Sequence, residues 1–231
     1  MNIDGVDIKS FGAILMDKII QSASLEQVYS WNRNSIIPIH LDRKFTFNIL
    51  EIKLYFKGVN EDDLKSKISA FINKAKECTI QFDDSFYYKG FLEGTPLSEN
   101  TLKKETKKLT IRFLAYRFKA EVTEIMNRIT SKTINVAGNL ETPVIVEVTP
   151  SIDLIDLTIN GLDEESIVLK NLKANKKIIV NGEDGTVIVD GANKYGDTEM
   201  WSFPSLKPGV NTITVDKSSV DITIKYKPRY I

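Results

Sequence analysis

The sequence is poor in the residues from which most active sites are built. Its 231 residues include one cysteine, Cys78, and one histidine, His40. A lone thiol excludes an intrachain disulfide framework. One histidine and one cysteine also leave no ordinary His/Cys zinc set and no ready Cys–His nucleophile. Cys78 ends a helical pattern beside Ala75 and Thr79 and reads as a small, semi-buried packing residue. His40 sits among Ile37, Pro38, Ile39 and Leu41, strand-like company that points to a structural role. No catalytic, cofactor-binding or metal-ligating residue is assigned, and no cofactor is expected.

Long apolar runs are missing too. No stretch approaches the roughly 18 apolar residues of a membrane helix, so no membrane insertion is expected. Met1-Asn-Ile-Asp-Gly5 has neither the basic start nor the apolar run of a secretory leader, so synthesis in the cytoplasm without a signal peptide is expected. Charge of either sign is not in excess, with 31 Lys and Arg against 31 Asp and Glu. Division after Arg128 leaves 20 basic and 17 acidic residues, then 11 and 14. That asymmetry is too small to argue for a nucleic-acid partner. Lys103, Lys104, Lys107 and Lys108, followed by Arg112 and Arg117, have no stacking aromatic among the lysines. They read as a solvated edge or hairpin tip.

What is present is a folding pattern. At 42% hydrophobic and 27% charged residues the chain is globular, and its length suits one large or two ordinary domains. Asp4-Gly5 between Ile3 and Val6 signals a hairpin. The polar Trp31-Asn-Arg-Asn-Ser35 reads as a loop with an exposed tip. Over 43–57, Phe45, Phe47 and Ile49 share one parity, whereas Ile52, Leu54 and Phe56 share the other. A strand that switches parity must absorb a residue, so a β-bulge is predicted at Leu50-Glu51.

A helix is predicted over about 61–77. Asn60 caps it, the acids at 61–63 suit its positive end, and Leu64, Ile68, Phe71, Ile72 and Ala75 form one apolar stripe. Strands at 79–82 and 86–92 flank an Asp83-Asp84-Ser85 turn. After a break at Thr95-Pro96, a further strand runs from 109 to 118. The first half is therefore α+β, a mostly antiparallel sheet with one helix across it.

Turn residues Asn135, Gly138, Asn139 and Pro143 place the domain junction between 128 and 142, giving domains 1–134 and 135–231. The second domain reads as a β-sandwich. Strands at 144–148, 154–159, 166–169, 177–180, 186–189, 211–215 and 220–226 alternate with Asn-Gly and Asp-Gly turns. Asn181-Gly-Glu-Asp-Gly185 lacks the alternating acids and closing Glu of a calcium loop. Near the end, the apolar Trp201, Phe203 and Leu206 run into Lys207-Pro208-Gly209, a chain reversal.

An ordered set of short motifs carries a family resemblance over nearly the whole chain. It comprises Asn135-Val-Ala-Gly-Asn-Leu-Glu-Thr-Pro143, Leu157-Thr-Ile-Asn-Gly161, Ile179-Val-Asn-Gly182 and Val187-Ile-Val-Asp-Gly191. Phe203-Pro-Ser-Leu-Lys-Pro-Gly-Val-Asn211 and Ile224-Lys-Tyr-Lys-Pro-Arg-Tyr230 follow. Phe82-Asp-Asp with an aromatic strand and Gly90 agrees in the first half. In this order they resemble the distal tail proteins of long-tailed, non-contractile bacteriophages and related prophage particles.

That resemblance implies a virion structural protein at the tail tip. It implies a homohexameric ring built by the N-terminal (belt) domain and a galectin-like C-terminal β-sandwich. The ring would join the tail tube protein to the tail-associated hub protein and the receptor-binding proteins, with DNA only in transit through its lumen. The 43–57 strand and the loops around Trp31 are candidate ring-forming elements by position.

Three other readings are weighed, one of them a tube-forming tail protein that stacks hexamers, against which the two-domain length argues. A carbohydrate-binding module for host-surface attachment would set exposed aromatics beside carboxylates, and Trp201, Tyr195 and Asp197 offer these. Against it, Trp201 reads as a core anchor. An enzyme would need a placed carboxylate pair at least; none stands out, and the chain reads as no enzyme.

Overall fold

The computed structural model of the chain describes residues 1–82 and 84–231. It forms two compact units, Met1–Phe118 with Ile231, and Lys119–Tyr230. The protein is mainly β, with a single α-helix and several antiparallel sheets among the described residues.

In the first unit the elements run β1 (Asn2–Ile3), β2 (Val6–Asp7), β3 (Ala13–Gln21), β4 (Leu25–Ser30), β5 (Ile39–Phe45) and β6 (Asn48–Lys57). Then follow α1 (Glu61–Ala75), β7 (Glu77–Gln81), β8 (Tyr87–Asn100) and β9 (Thr106–Phe118). The main sheet has the order β2-β1-β7-β8-β9-β6-β3. Asp4 and Gly5 turn β1 into β2 with φ of 44° and 79°, the left-handed pair that a tight hairpin needs.

α1 is built as its sequence dictates. The Asp63 N–H donates to Asn60 Oδ1 at 2.8 Å, and Lys65–Glu61 and Lys67–Asp63 pair one turn apart. It ends two residues short of the predicted 77, because Glu77 already pairs with Phe91 in the sheet. Leu64, Phe71 and Ala75 are buried beneath it against Leu50, Ile52, Leu54 and Phe56. Phe71 meets Phe56 edge-on at 5.3 Å. Each such large apolar side chain contributes about 1.5–3 kcal/mol by leaving water.

Two local expectations are corrected. No bulge lies at Leu50-Glu51: β6 pairs with β9 residue for residue, and its buried side alternates without interruption from Asn48 to Phe56. The parity switch arises because Phe45 and Phe47 are not part of that strand. Phe45 ends β5, residues 46–47 belong to no strand, and the register shift sits on the partner, between Leu15 and Asp17 of β3. Thr95-Pro96 does not end a strand either; β8 continues through it, with a register shift between Glu93 and Leu97. The Asp83-Asp84-Ser85 turn includes Asp83, which lies outside the described residues. The basic cluster does fall at the β8–β9 hairpin end, as expected.

The second unit contains β10 (Val122–Asn127), β11 (Ser131–Val136), β12 (Thr142–Pro150), β13 (Leu154–Asn160), β14 (Ile167–Leu172) and β15 (Ile178–Asn181). β16 (Thr186–Val189), β17 (Ala192–Asn193), β18 (Thr198–Glu199), β19 (Ser205–Leu206), β20 (Gly209–Val215) and β21 (Val220–Tyr226) follow. One sheet has the order β10-β21-β12-β15-β16-β17, with β19 beside β12; the other is β11-β20-β13-β14-β18. Met126, Val146, Val180 and Ile222 from the first and Ile134, Leu157, Leu169 and Ile213 from the second share one core.

The units divide at Phe118/Lys119, ahead of the 134/135 boundary drawn from turn residues. β10 pairs with β21 over six residues and so belongs to the second unit. Both β10 and β11 lie at sheet edges and bury few side chains, which is why 122–141 looks loosely patterned.

Candidate functional site: an exposed apolar ribbon

β4 and β5 form a two-stranded sheet of their own, and every residue in both strands is exposed. Their pairing begins at Leu25↔Phe45 and ends at Ser30↔Ile39. Between Val28 and Tyr29 the register shifts, since Val28 faces Asp42 and Tyr29 faces His40, leaving Leu41 as the extra residue. The root is tied by Ser24 and Thr46, whose hydroxyls lie 2.7 Å apart. At the tip the Ser35 N–H donates to the Asn32 carbonyl at 2.9 Å, and the Ser35 hydroxyl donates to the Ile37 carbonyl.

The composition of this ribbon is not that of a solvated hairpin. Val28, Tyr29, Trp31, Ile37 and Leu41 all expose more than half of their surface, and Ile36 is 93% exposed. Successive residues of a strand face opposite ways, so Tyr29 and Val28 put apolar surface on both faces. An isolated two-stranded ribbon is only marginally stable in water, and contiguous apolar surface of this kind marks an interface. The main sheet adds a second feature. β3 is its edge strand, pairs only with β6 among the described residues, and exposes Ile14, Met16 and Ile19. An apolar edge of that kind is a template for another strand.

The loop expected around Trp31 is therefore exposed at the ribbon's tip. The 43–57 segment is shared between the ribbon and the buried β6. His40 belongs to the ribbon and is exposed, so it is no core histidine. Cys78 is buried in β7, and burial pushes its thiol up to about 12.

The residues weighed for sugar binding are not assembled as a group. Trp201 is 88% exposed and does not anchor the core; Leu206 is fully buried there, with Phe203 packed alongside. Tyr195 leans on Phe203 at 5.8 Å between ring centres. Asp197 accepts from the Asn171 side-chain amide at 2.9 Å and pairs with Lys194 at 3.2 Å. The Asn171 hydrogen bond, then Lys194, holds its carboxyl below the usual range. The open concavity beside Trp201 includes neither Tyr195 nor Asp197.

The Asn181 side chain accepts from the Glu183 and Asp184 N–H groups, which explains that turn without a metal. Among the described residues no three or more His, Cys, Asp or Glu side chains are grouped to hold a metal ion. Nor is any helix long and apolar enough to cross a membrane.

Comparisons with known proteins bear on this arrangement. Residues 137–230 match the family model described as siphovirus-type tail component, C-terminal domain. Among solved structures, the SPP1 Dit protein, a paradigm of the hub adsorption apparatus in Gram-positive infecting phages, is similar over 99% of this chain and 98% of its own. The TM-score is 0.74 at 16% identity. A chain of the phage P2 baseplate, in its activated conformation with Ca, is similar over 97% of this chain and 94% of its own, with a TM-score of 0.57 at 14% identity. The same baseplate with Sr gives 0.57 at 13%. At these identities the structural likeness is one of fold. No curated protein matches the sequence.

Proposed function

We propose that this chain is a member of the siphophage distal tail protein family, a reading supported by the family match over residues 137–230 and by the fold, and that it forms a homohexameric ring at the tip of a phage tail. In this reading the first unit makes the ring, the belt of the assembly, and the second unit is its galectin-like domain. The ring joins the tail tube protein to the tail-associated hub protein and the receptor-binding apparatus, and DNA only passes through its lumen. The role is structural and non-enzymatic, and the protein resides in the virion.

The observation that carries the reading is the β4–β5 ribbon, which exposes apolar side chains on both faces and needs a polypeptide to cover them. A ribbon from each copy covering its neighbour is a heterologous contact, which closes into a ring when the rotation per copy permits. Native mass spectrometry and negative-stain class averages of the full chain, alone and with the hub protein, test it. Six-fold rings are expected. A monomer that persists at high concentration in both conditions overturns the proposal.

A further inference from the structure

Trp201 leaves a whole indole in water, a position that costs free energy unless something covers it. Its exposure does not come from a slack loop. The Ser202 N–H donates to Asp163 Oδ2 at 3.2 Å, and the Ser205 N–H donates to the Leu162 carbonyl at 2.7 Å. Phe203 packs on the core and Leu206 is fully buried. The residues after the tryptophan are thus fixed, and its ring is held outward.

The ring borders an open concavity of about 1040 Å³ in the second unit, whose lining includes Asp163, Glu165, Glu199, Lys207 and Asn211. That size is at the upper end of ordinary ligand sites.

We propose that this concavity binds an uncharged glycan, with a pyranose stacked on Trp201 and its hydroxyls donating to the surrounding carboxylates. Two properties of the lining select that ligand. The first is an excess of acceptors over donors. Glu165 makes no hydrogen bond or ion pair among the described residues, and Glu199 engages Lys170 through one oxygen only, leaving the other open. The second is charge. The one lysine of the lining, Lys207, is already paired with Glu164 at 3.1 Å. A phosphate polymer or sulfated glycan would meet net negative potential, whereas neutral hydroxyls meet acceptors and the carbon face of the sugar meets the indole. The proposal does not rest on ring formation, since all of these residues lie in the second unit.

The test uses the full chain carrying Trp31→Phe, which leaves Trp201 as its one indole. Its emission is followed during titration with methyl glycosides of glucose, galactose and N-acetylglucosamine and with their short oligomers. A saturable emission change is expected. By calorimetry, Trp201→Ala in the otherwise natural chain should lose at least about tenfold in affinity, and Glu165→Gln should lose less, both with unchanged circular dichroism. Three results overturn the proposal: no saturable response to any of these sugars, equal affinity in Trp201→Ala, or tighter binding of poly(glycerol phosphate) or oligolysine than of the neutral sugars.

Discussion

The Ser24 and Thr46 hydroxyls lie 2.7 Å apart across the root of the exposed ribbon, and the Thr46 N–H donates to the Ser24 carbonyl at 2.9 Å. These two residues close the ribbon where it leaves the sheet, although neither lies in a strand. A net hydrogen bond is worth about 1 kcal/mol, which is roughly a fivefold change in a local opening equilibrium. Ser24→Ala with Thr46→Val should therefore speed amide exchange about fivefold in β4 and β5. Exchange in α1 and β6 should be unchanged. Acceleration spread through the first unit would show that the pair supports the sheet instead.

The ribbon's apolar residues should matter for assembly and hardly at all for folding. Tyr29 and Leu41 are exposed, so replacing both by aspartate should change the monomer's stability by no more than about 0.5 kcal/mol per site. The same substitutions place charges in the proposed contact and should abolish rings in negative stain. Rings formed by the double variant would remove the ribbon from the interface.

Much of this architecture is legible in the sequence because local chemistry decides it. Asn60 caps α1, Asp4-Gly5 reverses β1 into β2, and the strands of the second unit appear close to where alternation and turn residues put them. The errors arise where distant contacts decide. The parity of Phe45 and Ile52 looks like one kinked strand, yet Phe45 pairs with Leu25 and Ile52 pairs with Ile111. Trp201 follows the same logic. Its apolar neighbours suggest an anchor, but Asp163, 39 residues upstream of Ser202, fixes the direction of the loop. The carboxylates near Trp201 come from Glu141 ahead of β12, from the 163–165 turn and from β18, so no local motif announces them.

Gly90 is a close-approach residue. A Cβ there would lie 1.8 Å from the Leu114 carbonyl oxygen and 2.6 Å from the Ala115 Cα, both backbone atoms of β9. Neither can yield without moving a central strand. Gly90→Ala should destabilise the first unit by at least about 3 kcal/mol, measured by urea unfolding. A loss below about 1 kcal/mol would mean that the β8–β9 pair shifts freely.

Cys78 should behave as an inert thiol. Only 4% of it is exposed, and its thiol is pushed up to about 12, first by burial and then by the Asp4 charge. The thiolate is the reactive species. The native chain should therefore resist a thiol reagent such as Ellman's at mildly alkaline pH and react fully once denatured. Rapid native labelling would contradict the packing of β7.

Glu147 on β12 is tied through charge to β21 and to the residue just ahead of β15. Lys177 Nζ donates to its Oε2 at 2.8 Å and Lys225 Nζ to its Oε1 at 2.5 Å, while the glutamate side chain is only 15% exposed. The hydrogen bond from Lys177, then that from Lys225, holds the carboxyl below the ordinary glutamate value of 4.5. A carboxylate with a depressed folded pKa stabilises the fold above its unfolded value, and that contribution is lost as pH falls through the folded value. Both lysines reach water, so the pairs are discounted for screening and Glu147→Gln should cost about 1 kcal/mol at neutral pH. The difference between the natural chain and the variant should shrink as pH drops below 4.5 and disappear once the carboxyl is protonated. Urea unfolding of both proteins across that range reads this directly. A difference that stays constant into acid would assign the effect of Glu147 to packing and not to its charge.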